Sequence, residues 1–173
     1  MSIRAVADAV GVTAPSIYLH FADKSELVFA VCESHFARFE AAARDAVEGV
    51  DDALERVYRR GRAYVRFGLD NPEHYRIMFM SRAESVPERF VDERVVAASS
   101  AFAGLVEDVQ LCIQRGQLAG DDAFLVACGL WATVHGVTSL LIAKPHFPWP
   151  PLDQLLDHTL EACGRGLGPT RAS

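Results

Sequence analysis

Polar side chains that could contact a nucleic acid are concentrated near the N-terminus of this sequence. Ser16 and Tyr18 carry hydroxyl groups and His20 an imidazole, all of which form hydrogen bonds with phosphates and base edges. Ile17 and Phe21 stand four residues apart, so on a helix they share a face that can pack against a neighbouring element. The polar side chains then point elsewhere, which favours contact with a partner.

Two short helices joined by a tight turn must position this segment. The first helix is predicted by apolar residues at helical spacing, namely Ile3, Val6, Ala7 and Val10. Gly11 can leave that helix with a positive φ, Thr13 stands where an N-cap belongs, and Pro15 falls in the first turn of the next helix. A helix–glycine turn–helix of this length places a recognition helix in the DNA major groove. A helical hairpin in an ordinary core would have the same outline.

A capping box follows, in which Asp23 precedes Glu26 by three residues and opens a long apolar-periodic helix. The stretch AVADAVGVTAPSIYLHFADKSELV, residues 5–28, resembles the DNA-binding domain of the tetracycline-repressor (TetR) family. The resemblance lies in the Gly-Val-Thr turn, the Tyr-x-His-Phe and the Lys-x-Glu-Leu. It implies a DNA-binding head over residues 1–30.

The resemblance also implies roles for individual residues of this head. Those that would face base edges and nearby phosphates are Thr13, Ala14, Pro15 and Ser16. Those that would contact the DNA backbone are Tyr18, His20 and Lys24. Members of the family carry a further helix before this pair, whereas the sequence starts at Met1 directly before the second. We therefore expect the first helix of the head to be absent.

Composition narrows the class of protein. The chain has 173 residues, half of them hydrophobic, and a net charge of −6, which suits a globular protein and excludes a uniformly basic nucleic-acid coat. Residues 1–30 contain two basic against three acidic residues, a weak balance for DNA binding. The four cysteines are scattered without a Cys-x-x-Cys pair, so we expect buried free thiols, no metal site and no cofactor.

Helical periodicity continues to the C-terminus and predicts an all-α fold. Long helices are expected at 24–47, 52–70, 88–116, 121–143 and 152–166, with a short one near 73–80. Residues 31–168 would then form an effector-binding and dimerisation body. One face of the helix at 52–70 carries a row of arginines, for which a solvated surface is favoured over an anion-binding patch: Arg56, Arg59, Arg60, Arg62 and Arg66.

The last two helices predict a subunit interface. The helix at 121–143 is apolar nearly all round and includes a stripe of small residues, Gly129, Ala132, Thr133 and Gly136. A helix that is apolar on every face must be buried on every face, which in so small a chain requires a partner. The final helix adds a leucine stripe that includes Leu156 and Leu160. We expect a homodimer through residues 121–166, with a four-helix bundle at its interface. A membrane helix at 124–143 is the less favoured alternative.

Aromatic residues around one histidine predict a ligand pocket in the body. The pocket candidates are Tyr75, Met78, Phe79, Phe102, Trp131 and His135, with the imidazole as a polar group among aromatic walls. A core with one hydrogen-bonded histidine is the alternative. Since the helix at 124–143 has no charged residue to anchor an ionic ligand, we expect a small, largely apolar effector. Residues 67–79 and the segment Trp131-Ala132-Thr133-Val134-His135-Gly136 also resemble the Trp-His-Gly type of TetR C-terminal domain.

These observations can be compared with three classes of function. The favoured one is a cytoplasmic, ligand-responsive transcriptional regulator, by family resemblance a repressor, that binds a palindromic operator as a dimer. The second is a dimeric small-molecule-binding protein that does not bind DNA without the first helix. An enzyme is not supported, because the sequence has no Gly-x-Ser-x-Gly, no phosphate-binding glycine loop and no His-Glu-x-x-His.

Overall fold

The computed structural model of the protein describes residues 2–80 and 91–166, and side chains over 2–80 and 102–164. All regular structure in these ranges is helical, which confirms the all-α prediction. In chain order the elements are α1 (Ile3–Val10), α2 (Ala14–Tyr18), α3 (Lys24–Asp45), α4 (Ala53–Asp70), α5 (Pro72–Tyr75), a π-helical turn (Arg76–Met80), α6 (Val91–Gln114), α7 (Ala123–Ala143) and α8 (Leu152–Gly166).

The bounds of the predicted long helices agree with those of the structure to within three residues, wherever the structure describes the helix end. The start of the helix predicted at 88–116 falls partly on residues 81–90, outside the described residues. The short helix near 73–80 differs in kind, since it is one α-helical turn that continues as a π-helical turn. The π-helical turn directs Phe79 towards the centre of the body. Because its residues do not follow the α-helical period, regular apolar spacing in the sequence does not reveal this direction.

Local capping fixes the geometry of the head. Gly11 ends α1 with a φ of 73°, in the left-handed region where glycine is favoured. Thr13 caps α2, its Oγ1 accepting from the Ser16 N–H at 3.3 Å. Asp23 caps α3 through the Glu26 N–H at 2.9 Å, while the Glu26 carboxylate accepts from the Ala22 N–H. The predicted turn and N-caps are thus present, whereas the Glu26 half of the capping box reaches Ala22, one residue before the N-cap.

A small apolar cluster holds the head together. Ile3, Ala7 and Ile17 are buried, and the partly buried Phe21 and Leu27 pack against them. Leu27 belongs to the first turn of α3, and the same helix continues into the body. One continuous helix therefore joins the two regions. The division into residues 1–30 and 31–168 stays a prediction.

The body packs its long helices around α4, which lies against α3, α6, α7 and α8. On α8 the leucine stripe faces this core: Leu156 is 1% and Leu160 3% exposed. The sequence-based assignment of this stripe to a subunit interface is therefore wrong for these two leucines. The stripe seals the protomer's own core, and a Cβ added at Gly61 of α4 would lie 2.9 Å from Leu160 Cδ2.

The arginine row of α4 forms ion pairs rather than a free patch. Arg59, Arg62 and Arg66 are at least partly exposed and pair with Glu55, Asp157 and Asp153 respectively. Arg60 differs, because its side chain is only 13% exposed and its Nε lies 2.5 Å from Asp108 Oδ2. The prediction of a solvated arginine face is thus wrong for Arg60, since the sequence did not reveal a buried acidic partner on α6.

Candidate functional sites in the head and the body

The candidate DNA-contacting residues lie on and next to α2. Thr13, Pro15 and His20 are exposed, and Tyr18 is 54% exposed. Ala14 and Ser16 are half-buried, and Lys24 is exposed at the start of α3. The structure thus brings all seven predicted residues to one short helix and its two flanks. Their individual contacts with DNA stay predictions.

Both hydroxyl groups at the start of α2 are engaged in its cap. Ser16 Oγ donates to the Thr13 carbonyl at 2.7 Å, in addition to the bond between the Ser16 N–H and Thr13 Oγ1. Leu19, at the other end of α2, is 83% exposed. Leu19 was not among the predicted contact residues, although its exposure places it beside Tyr18 and His20 on the surface of the head.

A cavity of about 290 Å³ lies between α3, α4, α6 and α7 and also touches α8 and the π-helical turn. Its walls are mainly aromatic and aliphatic, and the volume is close to the lower end of ordinary ligand pockets. The lining residues are Phe36, Phe39, Ala43, Val57, Arg60, Gly61, Tyr64, Phe79, Phe102, Leu105, Phe124, Cys128, Leu130, Trp131, Val134 and Leu160.

Three of the six predicted pocket residues line this cavity, and three lie behind its wall. Phe79, Phe102 and Trp131 are lining residues. Tyr75 and Met78 are buried in the adjoining core, and His135 contacts Tyr75 and Trp131 without reaching the lining. The ligand contacts of all six residues stay a prediction.

The half-buried His135 is the centre of a hydrogen-bond network that includes the buried Tyr64 and Tyr75. Its Nδ1 lies 2.7 Å from Tyr75 Oη and 3.1 Å from Tyr64 Oη, while its Nε2 lies 3.2 Å from Ser139 Oγ. Trp131 Nε1 donates to Tyr64 Oη at 3.2 Å. Of these groups Tyr64 and Trp131 line the cavity, so the network connects His135 to the ligand space through two side chains.

Burial sets the protonation state of this network. It lowers the pKa of His135 and raises the pKa of both Tyr64 and Tyr75, because a charged form loses its hydration inside the body. The imidazole and the two phenols are therefore neutral at pH 7. Tyr64 was not among the predicted pocket residues, because its contacts with His135 and Trp131 join positions about 70 residues apart.

The pH dependence of stability provides a test of this assignment. Because the pKa of His135 is lower in the folded than in the unfolded protein, its contribution is complete above about pH 6.5 and is lost as the pH falls through the folded-state pKa. We expect the free energy of unfolding to fall below pH 6.5 by at most about 1.4 kcal/mol per unit for this group. Denaturant unfolding of wild type and His135→Gln should show a shallower decline in the variant. Equal slopes would mean that His135 does not titrate in this range.

The outer face of α7 is apolar and exposed. Leu125 is 68% and Leu140 52% exposed, and a Cβ added at Gly129 or Gly136 would have nothing within 4 Å. Ala132 is exposed on the same face. Among the described residues, α7 is also the one helix long and apolar enough to cross a membrane, and a third of that stretch is buried in the protein.

Comparisons with known proteins match both regions of the chain. Residues 1–31 match the family of bacterial regulatory proteins of the tetR family, and residues 57–163 match the tetracyclin repressor-like C-terminal domain. The HTH-type transcriptional activator FasR of Mycolicibacterium smegmatis is 30% identical over 127 residues, which cover 73% of this chain. The chain spans 56% of the length of this curated relative.

Solved structures share the fold over nearly the whole chain. A protein of unknown function from Rhodococcus sp. RHA1 is 28% identical with a TM-score of 0.84, covering 98% of this chain and 86% of that one. The TetR family regulator PfmR of Thermus thermophilus is 18% identical with a TM-score of 0.76, covering 99% and 88%. The second family match alone covers more than half of the sequence. The chain belongs to the TetR family of bacterial regulatory proteins.

Proposed function

We propose that the protein is a ligand-responsive transcriptional regulator that binds a palindromic operator as a dimer. The observation that carries this proposal is the course of α3. The helix begins beside the recognition helix with Lys24, and further along it supplies Phe36, Phe39 and Ala43 to the cavity wall. A change in the cavity therefore has a continuous helical route to the head. TetR family regulators bind operator DNA as dimers and bind small molecules.

The proposed mechanism is a shift between two populations of the dimer. A ligand that binds one conformation better moves the equilibrium towards it by the difference in its two affinities. Reorientation of α3 would change the distance between the two recognition helices, which must match half-sites about one helical turn apart. By the reciprocity of linked equilibria, DNA must change ligand affinity by the same factor.

The uncovered face of α7 is where we place the second copy of the chain. Gly129, Ala132 and Gly136 allow two helices to approach closely, and Leu125 and Leu140 supply apolar area at either end. This interface lies within residues 121–166, and α8 contributes through its exposed face rather than through its buried leucines. A dimer buries this face without a membrane, and a cytoplasmic location is part of the same proposal.

The effector proposed for the body is small and largely apolar, in keeping with the aromatic walls of the cavity. FasR is named a transcriptional activator, whereas the sequence resemblance favours a repressor. A DNA-bound dimer could carry out either activation or repression, so the proposal covers both. The assignment of the body to the Trp-His-Gly type, and the absence of a preceding head helix, stay predictions. A dimer that binds ligand without DNA is the outcome that would replace this proposal.

DNA binding can be tested with substitutions that separate affinity from sequence preference. Lys24→Ala should weaken binding to all sequences alike and reduce the slope of log affinity against log salt by about one, because one phosphate contact is lost. Ser16→Ala should instead alter sequence preference at one base pair, because a hydroxyl oxygen that can accept from a base edge is lost. Fluorescence anisotropy with the protein's own upstream DNA and a scrambled duplex, over a salt series, measures both effects.

The control for this experiment is Lys144→Ala, an exposed lysine beyond the end of α7, which should leave DNA binding unchanged. The chain should be compared with a form extended by any in-frame upstream codons. Salt-insensitive or undetectable binding in both forms would contradict the regulator and leave the ligand-binding dimer. Binding by the extended form alone would support the expectation of a missing helix.

A further inference from the structure

A buried ion cluster forms part of the cavity wall. Asp108 of α6 is fully buried, with Arg60 Nε 2.5 Å from its Oδ2 and Arg56 Nε 2.6 Å from its Oδ1. Two guanidinium groups thus share one carboxylate, which leaves the cluster with one positive charge. Arg56 is 30% exposed and does not line the cavity, so the charge of the cluster that faces apolar walls is that of Arg60, whose burial is costly unless an acceptor or water compensates it.

Arg60 is the member of this cluster that reaches the cavity. Its Nη1 donates to the Ala43 carbonyl of α3 at 3.3 Å, and its guanidinium lies flat against α6, where a Cβ at Gly104 would be 2.9 Å from Nη2. Arg60 is the charged residue among those that line the cavity, and its planar guanidinium suits a carboxylate or another planar acceptor.

We propose that Arg60 is the polar anchor of the effector, which is therefore an apolar molecule ending in a carboxylate. This inference rests on the proposed effector cavity and narrows the class of ligand. It differs from the expectation drawn from α7 alone, because the charge that can hold an anionic group comes from α4. The apolar part of the molecule would lie against the aromatic wall, with its charged end towards the Arg60 side.

The same residue connects the ligand to the head. Ala43 belongs to α3, which begins beside the recognition helix. A carboxylate that draws the guanidinium towards the cavity competes with the Ala43 carbonyl for its donors. Binding at Arg60 would thereby change a contact that holds α3 against α4, whereas a purely apolar ligand would leave that contact in place.

Two soluble compounds with the same skeleton test the inference, phenylbutyrate and its alcohol phenylbutanol. Isothermal titration calorimetry of the wild-type dimer should show about tenfold tighter binding of phenylbutyrate, in keeping with a charged hydrogen bond. In Arg60→Met this preference should disappear, since Asp108 still has Arg56 as a partner. Arg59→Met, an exposed neighbour paired with Glu55, should keep the full preference.

Each other outcome overturns the inference in a distinguishable way. Equal binding of both compounds to the wild type, or a preference that survives in Arg60→Met, contradicts the anchor but leaves an effector cavity. Binding of neither compound contradicts both the anchor and the cavity's proposed role. If thermal unfolding shows that Arg60→Met does not fold, Arg60→Lys replaces it in the test. Lysine keeps the positive charge but lacks the planar guanidinium, so this variant should retain only part of the preference for phenylbutyrate.

Discussion

The Ala132→Arg variant is expected to be monomeric and to bind DNA about a hundredfold more weakly than the wild type. Ala132 lies on the uncovered face of α7 between Gly129 and Gly136. A long charged side chain there would keep two α7 helices apart and bring two like charges together across a symmetric interface. Without the dimer, the two heads no longer bind as one bivalent unit, which accounts for a loss of this size.

Analytical ultracentrifugation and DNA titration measure the two parts of this prediction. Ala37→Arg provides a matched control, since Ala37 is an exposed helical alanine on α3. It should remain dimeric and bind DNA as the wild type does. Since Ala132 is exposed in the protomer, neither variant should lower the melting temperature of the protomer itself. A dimeric Ala132→Arg protein would place the interface on another surface.

An apolar compound that enters the cavity is expected to stabilise the protein strongly. At a hundredfold excess over its dissociation constant it should add about 2.7 kcal/mol to the free energy of unfolding, or roughly 5 to 10 °C in melting temperature for a chain of this size. Cys128→Trp should abolish the shift, because Cys128 lines the cavity and the indole would occupy it. A thermal-shift screen of aromatic acids, alcohols and hydrocarbons measures this effect.

Ala103→Trp is the control for that screen, because Ala103 is exposed on α6 and its substitution leaves the cavity free. It should show the same shifts as the wild type. If Cys128→Trp responds to the compounds as the wild type does, they bind elsewhere. If no compound shifts the melting temperature, the aromatic cluster serves as core alone.

Much of the fold could be predicted because its determinants are local. Gly11, Thr13 and Asp23 mark turns and caps through chemistry that acts within four residues. Helix lengths followed from apolar periodicity in the same way. The π-helical turn at Arg76–Met80 could not be predicted. Its one effect is to change which side chains of the segment point inward, and that effect is visible only in the folded chain.

The candidate site depended on contacts between distant parts of the chain, and there the prediction was incomplete. Phe79, Phe102 and Trp131 were predicted as pocket residues because their side chains are aromatic, and they line the cavity. Arg60 and Asp108 were not, because an arginine row looks solvated until its acidic partner, 48 residues away, is placed beside it. Likewise, an amphipathic leucine stripe predicts burial but not whether its own chain or a second one covers it, as Leu156 and Leu160 show.

In the proposed mechanism, a ligand in the body controls DNA binding by the head. We would measure the DNA affinity of the dimer with and without a saturating aromatic acid that stabilises the wild type but not Cys128→Trp. We expect DNA affinity to change by at least about fivefold, the usual lower limit of allosteric coupling, and the compound's affinity to change by the same factor when DNA is bound. Unchanged DNA affinity at full occupancy of the cavity would contradict it.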